Sequence, residues 1–151
     1  MTNVSAGDDV LVQAAGDITQ QTSTGVVAES NVNFVSDNGA VSLTDVSAND
    51  NIQVQAQNDI TQLAGTEANA GVTVDFVSNN GSATLADVSA GANVQVRAAN
   101  NIGQLDGTEI DAGTAANFIA DSGTVDLTNV LASDSVLIQA CLLYTSPSPR
   151  D

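Results

Sequence analysis

The string VSANDNIQVQAQNDITQ, residues 46–62, decides the fold, because it recurs along the chain without a gap. VSAGDDVLVQAAGDITQ stands at 4–20, VSAGANVQVRAANNIGQ at 88–104, and the first part of a fourth copy, VLASDSVLIQA, at 130–140. The copies are spaced by 42 residues throughout. A fixed period of this length is typical of repeat architectures, in which each unit contacts only its neighbours.

Apolar residues alternate with polar ones inside each unit. Ile52, Val54 and Ala56 lie two residues apart, as do Val32 and Phe34 in the other half of a unit. Alternation over short runs rich in β-branched residues predicts β-strands. Clusters of Ser, Asp, Asn and Gly separate the runs and predict turns, because these residues bond their own backbone and tolerate positive φ.

The two halves of a unit resemble each other weakly, with V-x-V-x-A…I in the first half and V-x-F…V-x-L in the second. Each 42-residue repeat is therefore predicted to contain two coils, each roughly half its length. A single coil cannot bury its apolar side, whereas stacked coils share one continuous apolar column. The sequence thus predicts an all-β protein, a right-handed parallel β-helix (β-solenoid), over residues 1–140, with units starting near 4, 46, 88 and 130. At about 4.8 Å per coil, the rod would be on the order of 30 Å long.

Two other all-β architectures fit the period less well. An antiparallel β-sandwich needs about 100 residues, which is far more than one repeat. A propeller blade of about 40 to 45 residues matches the period better. However, the Trp-Asp and Gly-His signatures of such blades are missing, and the similarity of the half-units favours coils.

The last eleven residues, CLLYTSPSPRD at 141–151, share nothing with the repeat and hold the only Cys, the only Tyr and both Pro of the chain. The string resembles a translated sequencing adapter. We expect it to be a non-native, unstructured tail that is left out of fold reasoning. Met1 falls in a repeat column that otherwise holds Leu, so the visible start is also expected to be an internal cut in a longer chain.

The charge balance limits the partners. The chain has 18 acidic and two basic residues, no His, and a net charge of −16 at pH 7. Such a surface repels phosphate backbones, so no nucleic-acid partner is expected. No run approaches the ~18 consecutive apolar residues of a membrane span, so no membrane insertion is expected. Segment 1–140 has no Cys, which removes disulfides, thiol nucleophiles and Cys metal sites.

The pattern V-x-V-x-A-x-x-x-I-x-Q, followed by a Gly-bearing turn and V-x-L-x-D, resembles the haemagglutination-activity repeats of filamentous haemagglutinins and related large exoprotein adhesins. The resemblance covers essentially all of 1–140. It implies a structural and adhesive role in a bacterial filamentous adhesin that is secreted or exposed on the outer cell surface. It also implies a host or cell-surface receptor or a glycan as partner, besides the neighbouring repeats of the full-length protein.

Stacked polar columns are the strongest candidates for side-chain chemistry. Amide side chains that stack in register hydrogen-bond along the axis of a cross-β array. We therefore expect these columns to be stabilising ladders and not ligand sites. The two columns are Gln20, Gln62 and Gln104, and Asp17, Asp59 and Asn101.

Acidic turns raise the alternative of a calcium-binding β-roll, because hard cations bind clustered carboxylate and carbonyl oxygens. The glycine-rich nonapeptide of β-rolls is nowhere matched. The third repeat also has no acid at Gly91-Ala92-Asn93, so no metal site is expected. The acidic turns are Gly7-Asp8-Asp9, Asp37-Asn38-Gly39 and Asn49-Asp50-Asn51.

A polysaccharide-active β-helix enzyme is the second alternative. Asp8 with Asp9, or Glu109 with Asp111, could nominally form the carboxylate pair of a glycosidase. A lyase would also need a basic group, and Arg97 is the only one in 1–140. A solvated turn or face explains all of these residues. The sequence therefore predicts no enzyme, with no catalytic residue and no cofactor.

Overall fold

The computed structural model describes residues 1–141, which form twenty β-strands and no helix. Apart from Cys141, which is exposed, the tail expected at 141–151 lies outside the described residues. The strands follow one another in coils of three. The coils contain, in order, β1 (Val4–Ala6), β2 (Val10–Ala14) and β3 (Ile18–Thr19); β4 (Gly25–Ala28), β5 (Val32–Ser36) and β6 (Val41–Leu43); β7 (Asp45–Ala48), β8 (Asn51–Ala56) and β9 (Ile60–Gln62); β10 (Glu67–Ala70), β11 (Thr73–Ser78) and β12 (Ala83–Leu85); β13 (Asp87–Ala90), β14 (Asn93–Ala98) and β15 (Ile102–Gln104); β16 (Ile110–Ala112), β17 (Ala115–Ala120) and β18 (Val125–Asp126); and finally β19 (Val130–Ala132) and β20 (Ser135–Ala140).

Equivalent strands of successive coils pair into three parallel sheets. Sheet A has the order β1-β4-β7-β10-β13-β16-β19, sheet B the order β2-β5-β8-β11-β14-β17-β20, and sheet C the order β18-β15-β12-β9-β6-β3. This arrangement confirms the predicted all-β parallel solenoid. Right-handed winding stays a prediction, supported by the rule that about 98% of parallel crossovers are right-handed.

The two coils of a repeat are unequal in length. Val4 pairs with Val26, and Val26 pairs with Val46, so the chain advances by 22 residues and then by 20. The same alternation continues in the following repeats. We call the 22-residue coils that begin at 4, 46 and 88 the long coils, and the 20-residue coils that begin at 26, 68 and 110 the short coils.

Most of the difference lies in the corner between sheet C and sheet A. From the inward-facing Ile18 to the inward-facing Val26 the chain takes eight residues, whereas from Val41 to Val46 it takes five. We call these the long corner and the short corner. The corner between sheets B and C is one residue longer in the short coils, which leaves a net difference of two residues.

The core runs through the centre of the stack. Successive side chains of a strand point to opposite faces, so one half of each alternating run faces inward. The Phe of each short coil is fully buried and pairs in sheet B with a Val of the long coil below it. Each fully buried apolar side chain of this size stabilises the fold by about 1.5–3 kcal/mol. The buried residues form one continuous cluster, whose largest members are Phe34, Phe76, Phe118, Leu43, Ile52, Ile60, Leu85, Ile102 and Ile110.

Candidate functional site

Each Gln of the predicted Gln column is buried at the start of a long corner. The Gln62 Nε2 group donates to the Thr66 carbonyl oxygen (3.0 Å) and to the Asp87 carbonyl oxygen (2.7 Å) of the next coil. Its Oε1 atom accepts from the Ala86 backbone N–H (3.1 Å). One side chain therefore ties a long corner to the short corner that follows it. Gln20 and Gln104 make the equivalent bonds.

The ladder predicted for this column is wrong. Leu43 pairs with Gln62 in sheet C, and Leu85 pairs with Gln104. A Leu therefore separates successive glutamines, which lie two coils, or about 9.6 Å, apart. The period of the sequence is 42 residues, but side chains stack with the period of a single coil.

The predicted Asp/Asn ladder is wrong for the same reason. In each long coil the Oδ1 atom of this residue accepts a backbone N–H of the coil above, at the corner between sheets B and C. These side chains therefore bond backbone groups of the intervening coil and not one another. The pairs are Asp17 with Ala40 (2.8 Å), Asp59 with Ser82 (2.8 Å) and Asn101 with Thr124 (2.9 Å).

A side-chain ladder does occur at the start of sheet B, where sequence reasoning missed it. Asn31 Nδ2 donates to Asp9 Oδ1 (2.9 Å), and Asn51 Nδ2 donates to Asn31 Oδ1 (2.9 Å). The side-chain and backbone hydrogen bonds from Asn31 lower the pKa of Asp9, since they favour the ionised carboxylate. Only the unequal steps of 22 and 20 residues bring the three residues into one column.

The same end of sheet B carries a concave surface. This groove has a volume of about 560 Å³ and lies on the outer face of the first four coils. Burial raises the pKa of the half-buried Asp75, and the Oδ1 atom of Asn33 is buried without a hydrogen-bond partner. The groove therefore presents amide and carboxylate groups to a polar ligand. Its polar and apolar lining includes Asp9, Leu11, Asn31, Asn33, Gln53 and Asp75.

The two acids of the groove are too far apart to cleave a glycosidic bond together. Asp9 belongs to the first coil and Asp75 to the fourth, so about 14 Å separate them along the axis. The carboxyl pairs of glycosidases lie at most about 9.5 Å apart. Opposite shifts of pKa in this groove therefore do not indicate an acid–base pair.

The acids Glu109 and Asp111 and the base considered for an enzyme lie at different sheets, although the two acids are only two residues apart. Glu109 and Asp111 are exposed at sheet A, where Glu109 Oε2 accepts from Asn129 Nδ2 (3.1 Å). Arg97 is on the outer face of sheet B and pairs with Asp121 at 3.0 Å, with both side chains largely exposed. The only basic side chain of segment 1–140 is therefore engaged away from the acids of sheet A.

An acidic column follows the start of sheet A. Asp45 Oδ1 accepts the Glu67 backbone N–H (3.0 Å), and Asp87 Oδ1 accepts the Glu109 backbone N–H (2.8 Å).

Within residues 1–141 no group of three or more His, Cys, Asp and Glu is arranged to hold a metal ion. In the same part of the chain no helix is long and apolar enough to cross a membrane.

Comparison of the chain with protein-family models, with curated proteins and with solved structures finds no match.

Proposed function

We propose that the chain is a structural, non-catalytic segment of an adhesin-type rod that is secreted or held on the outer surface of a bacterial cell. The uninterrupted stacking of the coils carries this proposal. Three parallel sheets run through the whole described segment, and one apolar cluster fills it. Since each coil contacts only its neighbours, added repeats lengthen such a rod without changing its cross-section.

The surface supports an adhesive role. Sheet B offers the polar groove of Asn33, Gln53 and Asp75, whose amides and carboxylate can donate to and accept from the hydroxyls of a glycan or the polar groups of a host receptor. Sheet A carries the column of Asp45, Glu67, Asp87 and Glu109. The charge of −16 keeps neighbouring rods apart and disfavours nucleic acid as a partner.

The rod is tested by lengthening it. An extra copy of residues 46–87, inserted after Asp87, should add two coils, or about 9.6 Å, to the long dimension of the particle. Small-angle scattering should show this increase at an unchanged cross-sectional radius. A larger cross-section at constant length would contradict the proposal.

The adhesive part is tested by binding. Fluorescent beads that carry the chain should bind to host-type cells or to members of a glycan array. A Gln53→Ala/Asp75→Ala variant should weaken binding, whereas Ser89→Ala on sheet A serves as the matched control. Binding by neither form would count against adhesion through this segment. Detectable cleavage of any bound polysaccharide would overturn the non-catalytic assignment.

A further inference from the structure

The turns between sheets B and C in the short coils contain a chemically labile pair. Residues 36–39 read Ser-Asp-Asn-Gly, and residues 78–81 read Ser-Asn-Asn-Gly. An Asn followed by Gly deamidates readily in flexible chains. The reason is that Gly lacks a Cβ, so its backbone nitrogen approaches the Asn side-chain carbonyl without hindrance.

Packing requires the Gly of this pair. A Cβ on Gly81 would lie 2.5 Å from the carbonyl carbon of Asn58 in the coil below. A Cβ on Gly39 would lie equally close, 2.5 Å, to the carbonyl carbon of Gly16. Replacement of the Gly is therefore not a way to remove the labile pair. The Asn38 and Asn80 side chains are exposed to water.

A buried serine engages the reactive nitrogen in both turns. The backbone N–H of Gly39 donates to Ser36 Oγ (3.0 Å), and that of Gly81 donates to Ser78 Oγ (3.1 Å). The two serines are only 3% and 2% exposed. The N–H group that deamidation needs is thus bonded inside the corner.

The coils on both sides hold this arrangement in place. Ser78 Oγ donates to the Asn58 carbonyl oxygen (2.6 Å), and Ser36 Oγ donates to the Gly16 carbonyl oxygen (2.8 Å) of the coil below. The Gly81 carbonyl oxygen accepts the Asn100 N–H of the coil above (3.0 Å). The Gly peptide cannot rotate toward the Asn side chain unless these bonds between coils break.

The third repeat provides a natural comparison. Its turn, residues 120–123, reads Ala-Asp-Ser-Gly. Gly123 is retained, while Ala120 replaces the buried Ser and Ser122 replaces the Asn. The hydroxyl is therefore present in the two turns where Asn precedes Gly. It is absent in the turn where Ser precedes Gly, because Ser has no side-chain carbonyl that the Gly nitrogen could attack.

We propose that Asn38 and Asn80 are deamidation sites of this chain, and that the hydroxyls of Ser36 and Ser78 protect them in the folded rod. In the unprotected reaction the Gly nitrogen gives up its proton to solvent and attacks the Asn Cγ atom. A C–N bond forms, the Cγ–Nδ2 bond breaks, and the Nδ2 group takes up a proton from solvent and leaves as ammonia. Water then opens the succinimide to Asp or isoaspartate, and isoaspartate adds a methylene to the backbone at a corner that fixes the coil register.

The first test removes one hydroxyl and keeps the other. The whole chain and its Ser78→Ala variant are kept in mildly alkaline buffer, and peptide mapping by mass spectrometry follows conversion at Asn38 and at Asn80. Loss of one typical hydrogen bond corresponds to a factor of about five, so deamidation at Asn80 should rise about fivefold in the variant. Deamidation at Asn38 in the same molecules should stay unchanged. Equal acceleration at both positions would indicate general loosening, and no acceleration at Asn80 would mean no protection; either result overturns the proposal.

The second test keeps both native serines, so it does not depend on whether Ser78→Ala folds. Ser122→Asn places an Asn-Gly pair in the third turn, where position 120 has no hydroxyl. This new site should deamidate about five times faster than Asn80 of the same molecule. Adding Ala120→Ser should slow it about fivefold. If Ser122→Asn alone is already as slow as Asn80, the hydroxyl has no protective role.

Discussion

The long coil and the short coil of one repeat bury different side chains at equivalent places. At the centre of sheet B the short coil has Phe76, and the long coil paired with it has Val54. At the end of sheet C the short coil has Leu85, and the long coil above it has Gln104. The coil with the longer path carries the smaller apolar side chain and a buried amide, while the coil with the shorter path is apolar at both places.

The difference shows what a longer corner requires. The long corner brings extra backbone carbonyls and N–H groups close to the core, where unpaired polar groups are costly. Gln62 supplies both donors and an acceptor for these groups and for the next short corner. The short corner needs only an apolar residue at the same place, because its backbone is bonded by the Gln of the coil below.

The largest effect is expected at the centre of sheet B. Phe76→Ala should lower the free energy of unfolding by about 4 kcal/mol, since it removes a fully buried ring and leaves a cavity. Val54→Ala, in the coil below, should cost about 2 kcal/mol, because it removes fewer buried carbons. Urea unfolding followed by circular dichroism measures both values. Equal losses would mean that the two coils do not differ in the way described.

The next effect concerns the long corner. Gln62→Leu copies the side chain of the short coil, and it should lower the free energy of unfolding by about 3 kcal/mol because three backbone groups lose their partner. Gln55→Leu, on the exposed outer face of sheet B, should change it by less than about 0.5 kcal/mol. Urea midpoints of the two variants decide the matter. A variant at position 62 as stable as its surface control would show that the amide is dispensable.

A smaller effect is expected from the backbone of the long corners. Gly65 and Gly107 have φ of 75° and 77°, whereas Ser23 holds φ at 61° at the equivalent place in the first repeat. A residue with a Cβ is disfavoured there by about 1–2 kcal/mol. Ser23→Gly should therefore raise the free energy of unfolding by about 1 kcal/mol after the entropy of Gly is subtracted. Gly65→Ser should lower it by a similar amount, and thermal melting tests both. A lower melting temperature for Ser23→Gly would contradict the assignment.

The smallest effect depends on pH. Asp75, in a short coil, lies between Gln53 and Gln95 of the neighbouring long coils, and burial raises its pKa. The folded state thus binds the proton more tightly than the unfolded state. The free energy of unfolding therefore falls as the pH rises from the ordinary pKa of Asp to the raised pKa of the folded state. Asp75→Asn should raise the free energy of unfolding at pH 7 by only on the order of 0.5 kcal/mol, because solvent screens the half-buried carboxylate. The gain should vanish well below the ordinary Asp pKa, as melting curves across pH can show. A gain that is constant with pH would contradict this cause.

Strands and core were predictable from the sequence, because alternation has a direct physical meaning. Ile52, Val54 and Ala56 are fully buried, as their spacing predicted, and the neighbouring Gln53 and Gln55 are exposed. The gap-free period of 42 residues also predicted stacking, and the similarity of the two half-units predicted two coils. These features depend on local backbone geometry and on the burial of apolar residues, both of which the residue pattern records.

The polar contacts were not predictable in the same way. Gln62 recurs with the period of the repeat, which pointed to a ladder, but its stacking neighbours are Leu43 and Leu85. The column of Asp9, Asn31 and Asn51 was missed because its members are 22 and 20 residues apart. Both outcomes depend on how unequally the corners divide the repeat. The three extra residues of the long corner can be identified only when the pairing register between successive coils is known.

The direction of the hydrogen bonds has a mechanical consequence. In every sheet the backbone bonds between strands run along the rod axis, while the strands lie across it. A force that pulls on the two ends of the rod therefore loads the hydrogen bonds between two neighbouring coils. The coils detach from the stack one after another. Each peeled coil of 20 or 22 residues releases about 70 Å of chain. Under tension such a rod would lengthen in steps of two alternating sizes. It would absorb work at each step before the attachment at its end breaks.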